Sequence, residues 1–164
     1  MSQPPPNSKM LAAQAATLQR LRALSHLLDN AIPIPGLGRI GLDPILGLLP
    51  GGGDLFAGLL SAYIVIEGAR LGAPAASLTR MVFNILLEVL LGTAPVVGDL
   101  FDAAWKANAK NVALLEAHMQ NPQPSRQADK RFVILLIAGL FAAIIGVATL
   151  SLWLLRWVLG GMGG

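Results

Sequence analysis

The sequence predicts an all-α, membrane-embedded protein: a duplicated helix-break-helix core followed by a C-terminal transmembrane helix. Three observations carry this expectation. Hydrophobic residues make up 54% of the chain and charged residues 13%, with a mean hydropathy of +0.63, whereas soluble domains carry about 25% charged residues. One stretch is stated twice: residues 43–56 read DPILGLLPGGGDLF and residues 88–101 read EVLLGTAPVVGDLF, identical at seven of fourteen positions at an offset of 45. Finally, residues 132–155 form a run of 24 residues without a charge, which at 1.5 Å per residue reaches about 36 Å and so exceeds the hydrocarbon core of a bilayer.

The remaining composition narrows the classes further. A length of 164 residues suits one domain with an appendage. The absence of cysteine excludes disulfide scaffolds, thiolate metal sites and cysteine nucleophiles together. The net charge is +3 and the isoelectric point near 9.8, but the twelve basic residues are scattered and form no dense basic face interleaved with aromatics, so nucleic acid is not the expected partner. Basic residues that flank apolar segments serve instead as orientation signals toward a lipid bilayer.

In chain order, residues 1–8 (MSQPPPNS) form a proline-rich, disordered tail. Residues 9–30 predict an amphipathic helix with Leu18, Leu21, Leu24 and Leu28 toward one side and Gln19, Arg22, His26 and Asp29 toward the other. Such a helix packs on the rest of the domain or lies at a membrane surface.

The duplicated hydrophobic core occupies residues 31–118. It opens with a linker whose prolines (Pro33, Pro35, Pro44) and glycines forbid a long regular element. From Pro44 to Ile66 only Asp54 is charged, and the break from Pro50 to Gly53 interrupts this 23-residue apolar stretch. Asp54 is then placed as the N-cap of a helix over about 55–70. Gly72 supplies its stop and Pro74 the start of a second helix over about 75–91. The second break, Pro95 to Gly98, leads into Asp99 and a third helix ending near His118. On a continuous helix from Asp99, the residues Asp102, Lys106 and Lys110 share its face within about 80° of arc, and Asp102 and Lys106 form an i,i+4 pair.

Residues 119–131 are a polar linker, residues 132–157 the transmembrane helix and residues 158–164 a glycine-rich tail. Arg126, Lys130 and Arg131 precede the apolar run, and Trp153, Arg156 and Trp157 close it, as interfacial anchors do. These signals predict an inner-membrane protein with a cytoplasmic N-terminus.

No catalytic constellation emerges. PGLGRIG (35–41) and PGGGD (50–54) lack the spacing that cradles phosphate. His26 and His118 have no carboxylate at metal-ligand spacing, and the serines sit in no nucleophile-elbow context. The reading is therefore no enzyme, no metal and no cofactor. The chemistry-bearing set is acidic: Asp43, Asp54, Glu88, Asp99 and Asp102, with Asn84, Asn108, Asn111 and Lys106 nearby in sequence. Carboxylates inside apolar runs are expensive, so they either cap helix starts or line a polar site at the interface of the two repeats. On the terminal helix, Ala138, Gly139, Ala142, Ala143 and Gly146 recur at four-residue spacing, which permits close approach of a second copy.

These residues carry a resemblance. GLDPILGLLPGGGD, then LTRMVFNILLEVLLG, PVVGDLFD and WKANAKN, are similar to the family catalogued as domain of unknown function 4112, over roughly residues 25–118. The resemblance implies a small membrane-associated domain and no assigned activity. It marks Asp43, Pro50, Gly53, Asp54, Asn84, Glu88, Pro95, Gly98, Asp99, Asp102, Lys106, Asn108 and Asn111. Gly52 stands where the family usually has a branched apolar residue, and Glu88 where it usually has aspartate. The expected function is a membrane-tethered helical binding or interaction module; the alternative is translocation of a proton, cation or small polar solute between the repeats.

Overall fold

The computed structural model describes residues 6–34, 38–42, 53–92, 105–121 and 128–161. The expectations for Asp43, Pro50, Pro95, Gly98, Asp99 and Asp102 fall outside these residues, and those for the side chains at Gly53 and Asp54 do as well. Within the described residues the architecture is five helices and one two-stranded hairpin.

Helix α1 spans Pro6–Asn30. Leu18, Leu21 and Leu28 are buried on it and Leu24 packs at their margin. It packs on the domain rather than lying free of it, and Arg22 forms an ion pair with Glu116. One expected position is corrected: Asp29 is buried. It follows Leu18 by eleven residues, about three turns, and so returns to within about 20° of the leucine face.

The linker after α1 is an antiparallel hairpin of β1 (Ile32–Ile34) and β2 (Gly38–Ile40), pairing Ile32 with Ile40 and Pro33 with Arg39. Its return leg lies flush on the end of α1. The Leu42 N–H donates to Leu27 O at 3.2 Å, and Arg39 Nε donates to Asn30 O at 3.0 Å. Gly41 sits at the closest approach, where a Cβ would fall 1.3 Å from Leu28 O.

Helix α2 spans Gly53–Arg70. It starts earlier than predicted, which puts Asp54 inside the first turn instead of before it. Gly72 ends it at φ 85; its N–H donates to Ala69 O at 3.1 Å while the Ala73 N–H donates to Gly68 O at 3.0 Å. This pair of bonds satisfies two terminal carbonyls of the helix and needs a left-handed residue at position 72, where glycine is unstrained. The carbonyl of Pro74 then accepts from Ser77 and Leu78 N–H, which starts α3 (Ala75–Gly92).

Helix α4, Ala107–Gln120, lies at the centre and buries Ala107, Asn108, Asn111, Val112 and Leu115. Around it gather Leu21 and Leu28 of α1, Ile64 and Val65 of α2, and Leu78, Met81 and Ile85 of α3. The predicted continuous helix from Asp99 is corrected here. Lys106 adopts a left-handed conformation, φ 50 and ψ 65, immediately before Ala107, so no helix runs unbroken through this position.

Helix α5 spans Lys130–Gly161. The Asp129 side chain caps it, Oδ1 accepting from the Phe132 N–H at 2.7 Å. Leu140 and Ile144 are buried, and Phe132, Val133, Leu136, Ile137 and Phe141 pack beside them against the core. The small residues Ala138, Gly139, Ala142 and Gly146 face away, and nothing lies within 4 Å of a Cβ built on either glycine. Since an N-cap carboxylate contributes about 1 kcal/mol, Asp129→Ala is expected to speed amide hydrogen exchange at Arg131 to Val133 several-fold and to leave α4 unchanged. Unaltered exchange there would remove the cap from the account of α5.

Candidate functional site

The described polar residues converge on the first turn of α4. Three consecutive amide hydrogens at a helix start lack intrahelical partners, and the aligned peptide dipoles make that end positive. In most helices one local side chain answers this need; here the carboxylates come from two other helices. The Ala107 N–H donates to Glu88 Oε1 of α3 at 3.1 Å. The Ala109 N–H donates to Asp29 Oδ2 of α1 at 2.6 Å, and Asn108 Nδ2 donates to Asp29 Oδ1 at 2.8 Å. The first intrahelical bond follows, from Lys110 N–H to Lys106 O at 3.1 Å.

Lys106 makes this possible. A left-handed lysine is disfavoured by about 1–2 kcal/mol, and its ammonium offsets this by donating to Asn30 Oδ1 at the end of α1. Burial pushes the Asp29 carboxyl above its ordinary value of 3.8, while the bonds from Ala109 and Asn108 and the Lys106 charge act in the opposite direction. Desolvation thus outweighs the Ala109 bond, the side-chain and backbone contacts of Asn108 and the Lys106 charge together.

One turn further along α4, Asn111 ties it to α3. Asn84 Nδ2 donates to Asn111 Oδ1 at 2.9 Å, and Asn111 Nδ2 donates to Met81 O at 3.1 Å. The Trp105 indole N–H donates to Asn84 O at 3.1 Å, and Lys110 Nζ lies 3.7 Å from the centre of the Trp105 ring. Beside this network, and sharing Asn84 and Lys110 with it, Arg80, Phe83 and Asn84 of α3 and Lys110, Ala113 and Leu114 of α4 line an open groove of about 440 Å³.

Of the sequence-predicted residues, the structure brings Asn84, Glu88, Lys106, Asn108 and Asn111 into one network. Asp43, Asp54, Asp99 and Asp102 have no described side chain to add to it. Sequence reasoning missed Asp29, Asn30, Trp105 and Lys110 as members. Asp29 was legible from its helical angle, and Asn30 follows it; the roles of Trp105 and Lys110 depend on α3 lying alongside.

This arrangement holds helices together: apart from Lys106 O, each acceptor named above meets a donor from a different element. It ties α1 and α3 to α4 and leaves the basic groove facing outward. No curated protein and no solved structure matches the chain. A family model described as Domain of unknown function (DUF4112) matches residues 17–119, which takes in α1 from its first buried leucine, the whole cap network and nearly all of α4. The chain belongs to that family.

Proposed function

We propose that this protein is a membrane-tethered helical module, in which α5 crosses the bilayer and the four helices before it present a binding surface beside the membrane. The observation that carries this reading is the stretch Lys130–Leu154: 25 residues, apolar enough to span a bilayer, and only 11% buried in its most apolar window. A core helix of a soluble protein would bury such a run. Here Leu135 is 71% exposed and Trp157 69% exposed, which in water would be an apolar surface far larger than monomers tolerate.

The apolar exposure extends to the core. Phe56, Leu59 and Tyr63 are exposed at i, i+3 and i+7 on α2, as are Phe83 and Leu90 on α3, and both helices pack on α5. These faces rest against acyl chains or the headgroup boundary. The exposed small residues of α5 are then available to a second copy. The translocation alternative gains nothing from Asp29 and Glu88, since amide hydrogens of α4 occupy both.

The basic residues Arg126, Lys130 and Arg131 support an orientation with the start of α5 on the cytoplasmic side. The chain is free of cysteine, so single substitutions test this directly. In intact cells an impermeant thiol reagent is expected to label Met162→Cys and spare Gln3→Cys. Labelling of Gln3→Cys from outside would overturn the orientation, and release of the protein from membranes by alkaline carbonate would overturn the span itself.

A further inference from the structure

The groove between α3 and α4 has a chemistry that the cap network does not use. Arg80 and Lys110 are exposed on its opposite walls, with Phe83, Ala113 and Leu114 between and beside them. Among the described residues no acidic side chain lines it. The five carboxylates whose side chains are described each accept elsewhere: Asp29 from Ala109, Glu67 from Arg70, Glu88 from Ala107, Glu116 from Arg22 and Asp129 from Phe132. Two cations therefore face one groove with no carboxylate counter-charge among the described residues of its lining.

Lys110 is also held in place. Its ammonium rests on the Trp105 ring, and that ring is fixed by its indole bond to Asn84 O. A cation held this way loses less side-chain freedom on binding than a free lysine does. Arg80 offers a planar fork of donors suited to phosphate oxygens. Phe83, 58% exposed, supplies an apolar wall directly beside the two charges. The same helix carries exposed Leu90 and itself packs on α5.

The geometry points to a binding site for one anionic phospholipid, its headgroup phosphate held between Arg80 and Lys110 and its first acyl carbons on Phe83 and Leu114. This rests on the reading that α5 spans the bilayer. Soluble phosphate matches the two cations but not the apolar wall, and an acidic protein segment matches the charge but not the position beside a membrane helix.

The test uses the full chain, reconstituted in phosphatidylcholine nanodiscs containing a minor share of phosphatidylglycerol, then released into detergent for native mass spectrometry of retained lipid. Wild type is expected to retain phosphatidylglycerol. The double substitution Arg80→Gln with Lys110→Gln is expected to lower that retention about twenty-five-fold, since each basic residue near an anionic surface contributes about fivefold. Ala113→Glu is expected to lower it comparably while removing no native polar contact, so a folding defect in the double variant does not decide the matter. Lys9→Gln with Arg20→Gln, the same change in charge placed on α1, is expected to leave retention unaltered.

Equal retention of phosphatidylcholine and phosphatidylglycerol by wild type would overturn the site, as would undiminished retention in either groove variant. Displacement of the lipid by glycerol phosphate at equal concentration would overturn the role of Phe83 and Leu114 and with it the assignment to lipid. Flotation with phosphatidylcholine vesicles separates the two levels. A chain that fails to float sinks the membrane span, whereas a chain that floats yet retains no phosphatidylglycerol sinks the groove alone.

Discussion

Asp29→Ala is expected to destabilise the domain by about 2–6 kcal/mol, because it strands one buried and one part-buried donor at about 1–3 kcal/mol each. Those donors are the Ala109 N–H and Asn108 Nδ2, and the loss also removes a negative charge from the positive end of α4. Asp29→Asn keeps the shape but turns one acceptor into a donor that faces another donor, so its expected cost is about 1–3 kcal/mol. Denaturant unfolding of the full chain in detergent measures both, and a double-mutant cycle with Asn108→Ala should show strong coupling. An Asp29→Ala protein that unfolds with the wild-type midpoint would remove Asp29 from the cap.

The same residue gives the pH dependence a sign. The folded carboxyl titrates above its ordinary value of 3.8, so the folded state holds the Asp29 proton more readily than the unfolded state does. The stability this confers is fully present below that ordinary value and is lost as pH rises through the folded one. On acidification from neutrality toward pH 4, wild type should therefore gain stability relative to Asp29→Asn, and the gap between them should widen. A gap that narrows would mean that the bonds to Asp29 outweigh its desolvation.

Gly41→Ala should cost about 3 kcal/mol or more, the upper end of what inserted atoms do in close-packed interiors. The new methyl would fall 1.3 Å from Leu28 O, 2.1 Å from its carbonyl carbon and 2.5 Å from Asp29 Cα. All three are backbone atoms of α1, which cannot swing aside as the end of a flexible side chain can. The hairpin must lift, breaking the Leu42 to Leu27 bond and loosening the residues that carry Asp29 and Asn30. Faster hydrogen exchange at Ala107 and Ala109, together with a lowered unfolding midpoint, is the expected signature. Wild-type exchange in Gly41→Ala would show that the hairpin does not position the cap.

The helical elements were largely legible in the chain because their causes are local. Periodic leucines specify α1, Gly72 and Pro74 set the turn between α2 and α3, and an uncharged run of sufficient length specifies α5. The resemblance carried by GLDPILGLLPGGGD, LTRMVFNILLEVLLG, PVVGDLFD and WKANAKN pointed to the correct family. The sequence also marked Asn84, Glu88, Lys106, Asn108 and Asn111 as unusual, since polar groups in apolar surroundings need partners.

Which partners they find was not legible, because every one lies on another helix. Glu88 reaches Ala107 across 19 residues of chain and Asp29 reaches Ala109 across 80. Such pairs are fixed by how α1, α3 and α4 cross, and crossing is set by packing over the whole core rather than by any local propensity. The left-handed turn at Lys106 belongs to the same class. Local propensity favours continuing the helix through a lysine, and only Asn30 and the two remote carboxylates make the break favourable. Local sequence, then, determined the helices and the polar residues among them; tertiary packing decided that two acids from distant helices would serve as the cap of a third.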